Sequence, residues 1–186
     1  MNDTDKGQTL LRLARAAIGK KFGFESHDLP RTAWLEEPGA TFVTLTLNNR
    51  LHGCIGSLEA NRPLIDDVRD NAVAAAFQDP RFAPLTKEEF ADAVIDVALL
   101  SKPEAIHFSS EEDALRQLNP GTDGVVFEYG SHRATFLPHA WADLPHARDL
   151  LVQLKKQAGL AEDFWSVDVK VSRFTTRKWY EVKQHG

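Results

Sequence analysis

The residues best placed to do chemistry lie in Leu51-His52-Gly53-Cys54-Ile55-Gly56-Ser57, which holds the only cysteine of 186 residues. On a regular strand, side chains two apart share a face. His52 and Cys54 would then project together, with their Cβ atoms about 7 Å apart. An imidazolium at that position lowers a thiol pKa, and a thiolate beside a base can act as a covalent nucleophile. The blander reading is a cysteine packed as a small hydrophobe, and the residue types alone allow both. Gly53 and Gly56 weaken a strand, so they signal that a helix or a ligand approaches the backbone closely.

Asp79-Pro80-Arg81-Phe82 is a second candidate. Its proline holds an acid and a base on a constrained loop. Arg81 could clamp a carboxylate or phosphate through two parallel hydrogen bonds. Asp79 could instead pair with Arg81 or cap a local turn. A third candidate is Thr135, in Ala134-Thr135-Phe136-Leu137-Pro138-His139-Ala140-Trp141. Metal binding has no support: the seven histidines are scattered and no HExxH or Cys-x-x-Cys spacing occurs. No phosphate-binding loop of the Walker or GxGxxG type is present, and no cofactor is expected.

These segments need elements to position them. Leu10, Leu11, Leu13, Ala14, Ala17 and Ile18 recur at helical spacing, predicting a helix over 9–22. Residues 23–40 have no period and read as a long covering loop. Thr41 to Leu47 alternates and is β-branched, so it is a strand. Asn48-Asn49 turns it into a hairpin with 51–58. Pro63 opens a helix whose alanines predict close packing, and which ends before Asp79-Pro80. Thr86-Lys87-Glu88-Glu89 is a capping box, followed by a strand over 93–101.

The second half repeats that order, with a hairpin over 124–129 and 133–137, a helix through Leu150, Leu151 and Leu154, and a strand over 167–175. The reading is an internal duplication: an α+β fold of two β-β-α-β units sharing one largely antiparallel sheet, with helices packed on it. One domain spans 9–180, with tails at 1–8 and 181–186. If the duplication is real, Thr135 matches the Cys54 region and the two hairpins flank one cleft.

The bulk composition narrows the function. A net charge of −5 argues against nucleic-acid binding, which leaves a basic footprint. No apolar run reaches the roughly 18 residues of a membrane span. A lone cysteine and a polar N-terminus fit a cytoplasmic protein.

Five stretches together carry a family resemblance. They are Thr41-Phe42-Val43-Thr44-Leu45, Leu51 to Ser57, Asn71-Ala72 with Ala74-Ala75-Ala76, Asp79 to Leu85, and Thr135-Phe136-Leu137-Pro138. In order and spacing they resemble the AMMECR family, named after the Alport syndrome, midface hypoplasia and elliptocytosis chromosomal region. The family's usual motif has arginine where this chain has His52. The resemblance implies a component of a three-part system, alongside a Memo-like protein and a radical S-adenosylmethionine enzyme. It carries Cys54 and Arg81 over as site positions. The function expected is an accessory enzyme or small-ligand-handling component, with a cleft around Cys54 that takes a small anionic ligand. The rival expectation is a non-catalytic interaction module whose motif residues are structural.

Overall fold

A computed structural model describes residues 1–27 and 29–183. The chain divides into two units, one formed by Met1–Leu100 with the segment from Arg177 onward, the other by Ser101–Thr176.

The first unit begins with α1 (Asp3–Lys21), which starts six residues earlier than the helix expected over 9–22. Asn2 explains the extension: its side chain accepts the Asp5 N–H at 2.8 Å, an N-cap that polar residues supply without any apolar signal. Residues 1–8 are therefore mostly helix, and not the expected tail. The long segment after α1 contains one helical turn, α2 (Ala33–Glu36). A hairpin of β1 (Ala40–Leu47) and β2 (Arg50–Gly56) follows. Asn48 and Asn49 both take positive φ at its turn, where asparagine is tolerated. Next come α3 (Leu64–Phe77), α4 (Lys87–Asp92) and β3 (Val94–Leu100).

The core of this unit is the helical stripe Leu10, Leu13, Ala14 and Ile18 of α1 and Ile65, Val68, Ala72 and Ala75 of α3, packed on Val43, Leu45, Ile95 and Val97 of the sheet. Alternate residues of β1 and β3 are fully buried, the period-2 pattern of strands with one face on a core.

The second unit holds β4 (Glu104–Ala105), α5 (Glu111–Gln117), a hairpin of β5 (Gly124–Tyr129) and β6 (His132–Phe136), a short 3-10 helix (Pro138–Ala142), α6 (Ala147–Gln157) and β7 (Lys170–Phe174). Its core gathers Val125, Phe127, Leu150, Leu151, Leu154 and Val171. The last strand, β8 (Thr176–Tyr180), joins the sheet of the first unit.

The α+β class and antiparallel pairing are as read from the sequence, but the single shared sheet is not. There are two four-stranded sheets, ordered β2-β1-β3-β8 and β4-β7-β5-β6. The duplication is visible in them, because β2-β1-β3 and β6-β5-β7 place the first strand of each repeat between the other two. Each repeat then gains a fourth strand from outside itself, β8 or β4. These two additions are too short and too polar to stand out as strands in the sequence. Of the expected tail at 181–186, residues 184–186 lie outside the described residues. Glu181 is ordered by bonds to Arg15 and to the Ile95 N–H.

Candidate functional site

The two glycines around Cys54 answer to the protein's own atoms. A Cβ on Gly53 would lie 2.0 Å from the Ala75 carbonyl oxygen of α3. That helix can approach so closely because its facing residues are alanines. A Cβ on Gly56 would lie 2.2 Å from the Phe42 ring, which covers the glycine from the neighbouring strand, where the two are partners. The spaces their missing side chains leave are filled by Ala75 and Phe42.

Cys54 sits in β2, the edge strand of its sheet, and is half-buried. An edge strand leaves every other backbone N–H and C=O without a ladder partner. At Cys54 the Asp-Pro-Arg loop takes their place. Asp79 Oδ2 accepts the Cys54 N–H at 3.0 Å, and Arg81 Nη2 reaches to 3.5 Å from the Cys54 carbonyl oxygen. Arg81 also donates twice to the Asp79 carboxylate, from Nε at 3.0 Å and from Nη2 at 2.8 Å. Its own backbone N–H adds a third bond at 3.1 Å. The Asp79 carboxylate is only 2% exposed, while the Arg81 guanidinium is 57% exposed.

The hydrogen bond from Arg81, followed by that from the Cys54 N–H, holds the Asp79 carboxyl well below the usual carboxylate range. Asp79 in turn keeps Arg81 protonated beyond its ordinary range. Of the two readings of this motif from the sequence, the internal Asp79–Arg81 pair is the one present, and it holds the strand backbone at Cys54.

The thiol faces another set of groups. Thr44 of β1 is the cross-strand partner of Cys54, and its hydroxyl donates to Sγ at 3.2 Å. Thr44 is also opposite Asp96 of β3, whose carboxylate is the alternative acceptor for the same hydroxyl proton. Lys178 of β8 completes the row, 3.7 Å from Asp96. Desolvation raises the Asp96 carboxyl above the usual range, an effect that Lys178 and then Thr44 partly offset.

His52 does not join Cys54 as a regular strand would require. The register slips between Leu45 and Thr46, so that Gly53 pairs with Leu45 while Leu51 pairs with Thr46. His52 is the extra residue of this β-bulge, which re-aims a side chain. Its ring stacks against Phe82 with centroids 6.1 Å apart, and Nε2 lies 3.5 Å from Glu89 Oε2. Nε2 is buried and has no hydrogen-bond partner among the described residues. The Arg81 guanidinium lies 5.2 Å from the same Phe82 ring.

Thr135 belongs to the second unit, in β6 opposite Val126, and is half-buried. Cys54, Asp79 and Arg81 all belong to the first unit.

The sequence reading missed a larger polar cluster. Asp67 of α3 is fully buried. Its Oδ2 accepts the Thr41 N–H and hydroxyl, both at 2.7 Å, and the Asn71 amide at 3.0 Å. Its Oδ1 accepts the Ser57 hydroxyl at 2.6 Å and Arg62 Nε at 2.9 Å. These bonds tie α3 to the start of β1 and the end of β2. An acidic pair at a helix start, Asp66-Asp67, reads from the sequence only as a dipole effect. The signal that could have found it is Asn71, one turn on, within the Asn-Ala stretch of the family resemblance. Among the described residues, no group of three or more His, Cys, Asp or Glu is arranged to hold a metal ion, and no helix is long and apolar enough to cross a membrane.

Comparison with known proteins agrees across both units. Protein MJ0810 of Methanocaldococcus jannaschii is 35% identical, covering 98% of this chain and 93% of its own length. A Methanothermobacter thermautotrophicus protein is 34% identical, covering 95% of each chain. The crystal structure of uncharacterized protein PH0010 from Pyrococcus horikoshii superposes with a TM-score of 0.76 at 34% identity, over 94% of this chain and 91% of that one. The AMMECR1 family model matches residues 11–179, from within α1 to within β8. With the Gly-Cys strand, the Asp-Pro-Arg clamp and the second hairpin all inside that match, the chain belongs to the AMMECR1 family.

Proposed function

We propose that this protein is a non-catalytic binding component of a multi-protein modification pathway, with its motif residues building a rigid platform at the β2 edge. The observation that carries this reading is the closure of the Asp79–Arg81–Cys54 arrangement on itself. A thiol nucleophile needs a base within hydrogen-bond reach. The Asp79 carboxylate is spent on Arg81 and the Cys54 N–H, Thr44 donates to the sulfur, and His52 faces Phe82 and Glu89.

The partners that suit this reading are the Memo-like and radical S-adenosylmethionine proteins implied by the family resemblance, met in the cytoplasm. Co-purification of the tagged chain with both proteins tests it. Cys54→Ser should leave the complex and the pathway's output intact. Loss of output from a folded Cys54→Ser variant that still forms the complex would overturn the reading in favour of covalent chemistry.

A second reading has one observation in its favour. Cys54 is only half-buried, and its sulfur is the end of the polar row through Thr44 to Asp96. That row suits a component that handles a small anionic ligand, with Arg81 as the exposed cation beside it. Protection of Cys54 from alkylation by a metabolite mixture would support it.

A further inference from the structure

The bulge in β2 turns the His52 ring toward α4 and the loop over 79–85. Nε2 is buried and lies 3.5 Å from Glu89 Oε2, yet it has no hydrogen-bond partner among the described residues. A buried polar atom without a partner is rare in a folded protein and calls for an explanation. The side chain is 19% exposed, and that exposure lies on atoms other than Nε2, so the ring is open to proton exchange with solvent. Glu89 is held for this contact. Its Oε1 accepts the Thr86 hydroxyl at 3.0 Å and its N–H donates to the same oxygen at 3.2 Å, which leaves Oε2 for His52.

The other charges around the ring are already engaged or stand away from it. Arg81 lies beyond Phe82, 5.2 Å from that ring, and is neutralised by Asp79 at 2.8 Å. On α4, Lys87 sits over the Phe24 ring at 5.0 Å, and Glu88 is exposed. The cross-strand residues of β1 are the uncharged Leu45 and Thr46, and α3 brings Ala75 against the adjacent Gly53. On β2 itself, Arg50 and Cys54 stand two residues to either side. Glu89 is therefore the acid that faces Nε2.

We propose that His52 and Glu89 form a proton-operated latch. Imidazoles change charge between about pH 5 and pH 8. The uncharged ring leaves the 3.5 Å gap unbridged. The imidazolium donates from Nε2 to Glu89 Oε2, and charge assistance draws such a pair to about 2.7–2.9 Å. Closure fastens α4 to the bulge of β2, and with it the loop that carries Asp79, Arg81 and Phe82. Falling pH thus stiffens the surface beside Cys54, and rising pH loosens it. The latch works in the same way whether that edge meets a protein partner or a small ligand.

The test is a double-mutant cycle of His52→Gln, Glu89→Gln and the two together, unfolded in urea at about pH 5.5 and about pH 8. The cycle cancels what distant carboxylates contribute to each curve. At the lower pH the two residues should be coupled by roughly fivefold in the unfolding equilibrium, and at the higher pH the coupling should vanish. Hydrogen exchange of the unaltered protein is the second measurement. Corrected for intrinsic exchange, protection of the α4 amides should rise about fivefold relative to α3 as pH falls, and His52→Gln should abolish the rise. Equal coupling at both pH values would mean a neutral hydrogen bond, and no coupling at the lower pH would mean two neighbours that never pair. Either result, or α4 protection that does not change with pH, overturns the proposal.

Discussion

Asp79 accepts the backbone N–H of Cys54 at 3.0 Å, so the acid of one motif completes the hydrogen bonding of the other. What the two share is a strand edge. An unpaired edge is a template for another strand, and here it is closed by a carboxylate and a guanidinium.

This pairing has a pH signature. Arg81 first, and the Cys54 N–H second, lower the Asp79 carboxyl below its ordinary range. A depressed carboxyl stabilises the fold above its unfolded value of about 3.9, and that contribution fades as pH falls toward the folded value. Asp79→Asn should therefore lower the urea midpoint at pH 7, and the gap from the parent should narrow below about pH 4. A gap of the same size at pH 7 and pH 3 would mean that the carboxylate charge is not what holds the loop.

The two glycines should differ in tolerance. Gly53→Ala sets a methyl 2.0 Å from the Ala75 carbonyl oxygen in the last turn of α3, a backbone atom that cannot move without the end of the helix. A cost of about 3 kcal/mol is expected, at the upper end of overpacking effects. Gly56→Ala meets only the Phe42 ring, a side chain that can rotate away, so it should cost about 1 kcal/mol. Thermal melts of the two variants compare them directly. Equal melting temperatures would show that α3 is free to shift.

Asp67 is the most heavily bonded buried acid described above, with five donors on its two oxygens. Asp67→Asn turns one acceptor into a donor facing other donors. It should cost roughly 3 kcal/mol, the scale for breaking a buried charged network. Proteolysis should then expose the start of β1 and the end of β2 first, because these are the segments Asp67 ties down. A variant with unchanged denaturation and unchanged proteolysis would refute the assignment.

Asp96 carries the opposite sign. Burial raises its carboxyl, and Lys178 and Thr44 restore only part of the loss. The folded state thus holds the proton more tightly than the unfolded chain. That stabilisation is full below about pH 3.9 and is lost as pH rises through the folded value. Asp96→Asn should accordingly be more stable than the parent at pH 7 and no more stable at pH 3. A destabilised variant at pH 7 would show that the Lys178 pair outweighs the burial.

Much of this was legible because local physics decides it. Thr86 caps α4 through the Glu89 N–H at 3.2 Å, as its spacing to Glu89 implied. The alanines of α3 announced a close neighbour, and Gly53 is that neighbour. Three features were not legible. The bulge at His52 is a cross-strand register event, and no single strand carries its mark. Asp67 looks like any acid in a first helical turn until Thr41, Ser57 and Arg62 arrive from elsewhere. The split into two sheets depends on β8 and β4, five and two residues long, whose pairing is set by the strands they meet and not by their own pattern.

The segment that completes the first unit follows the whole of the second in sequence. β8 pairs into that sheet, and Glu181 locks Arg15 of α1 at 2.5 Å, yet all of the second unit is translated in between. The usual order of synthesis, in which N-terminal structure finishes first, is therefore reversed. On the ribosome the contiguous second unit can close while the first still waits with the edge of β3 open. A chain lacking the segment from Arg177 onward would leave the β3 edge unpaired and Arg15 without Glu181.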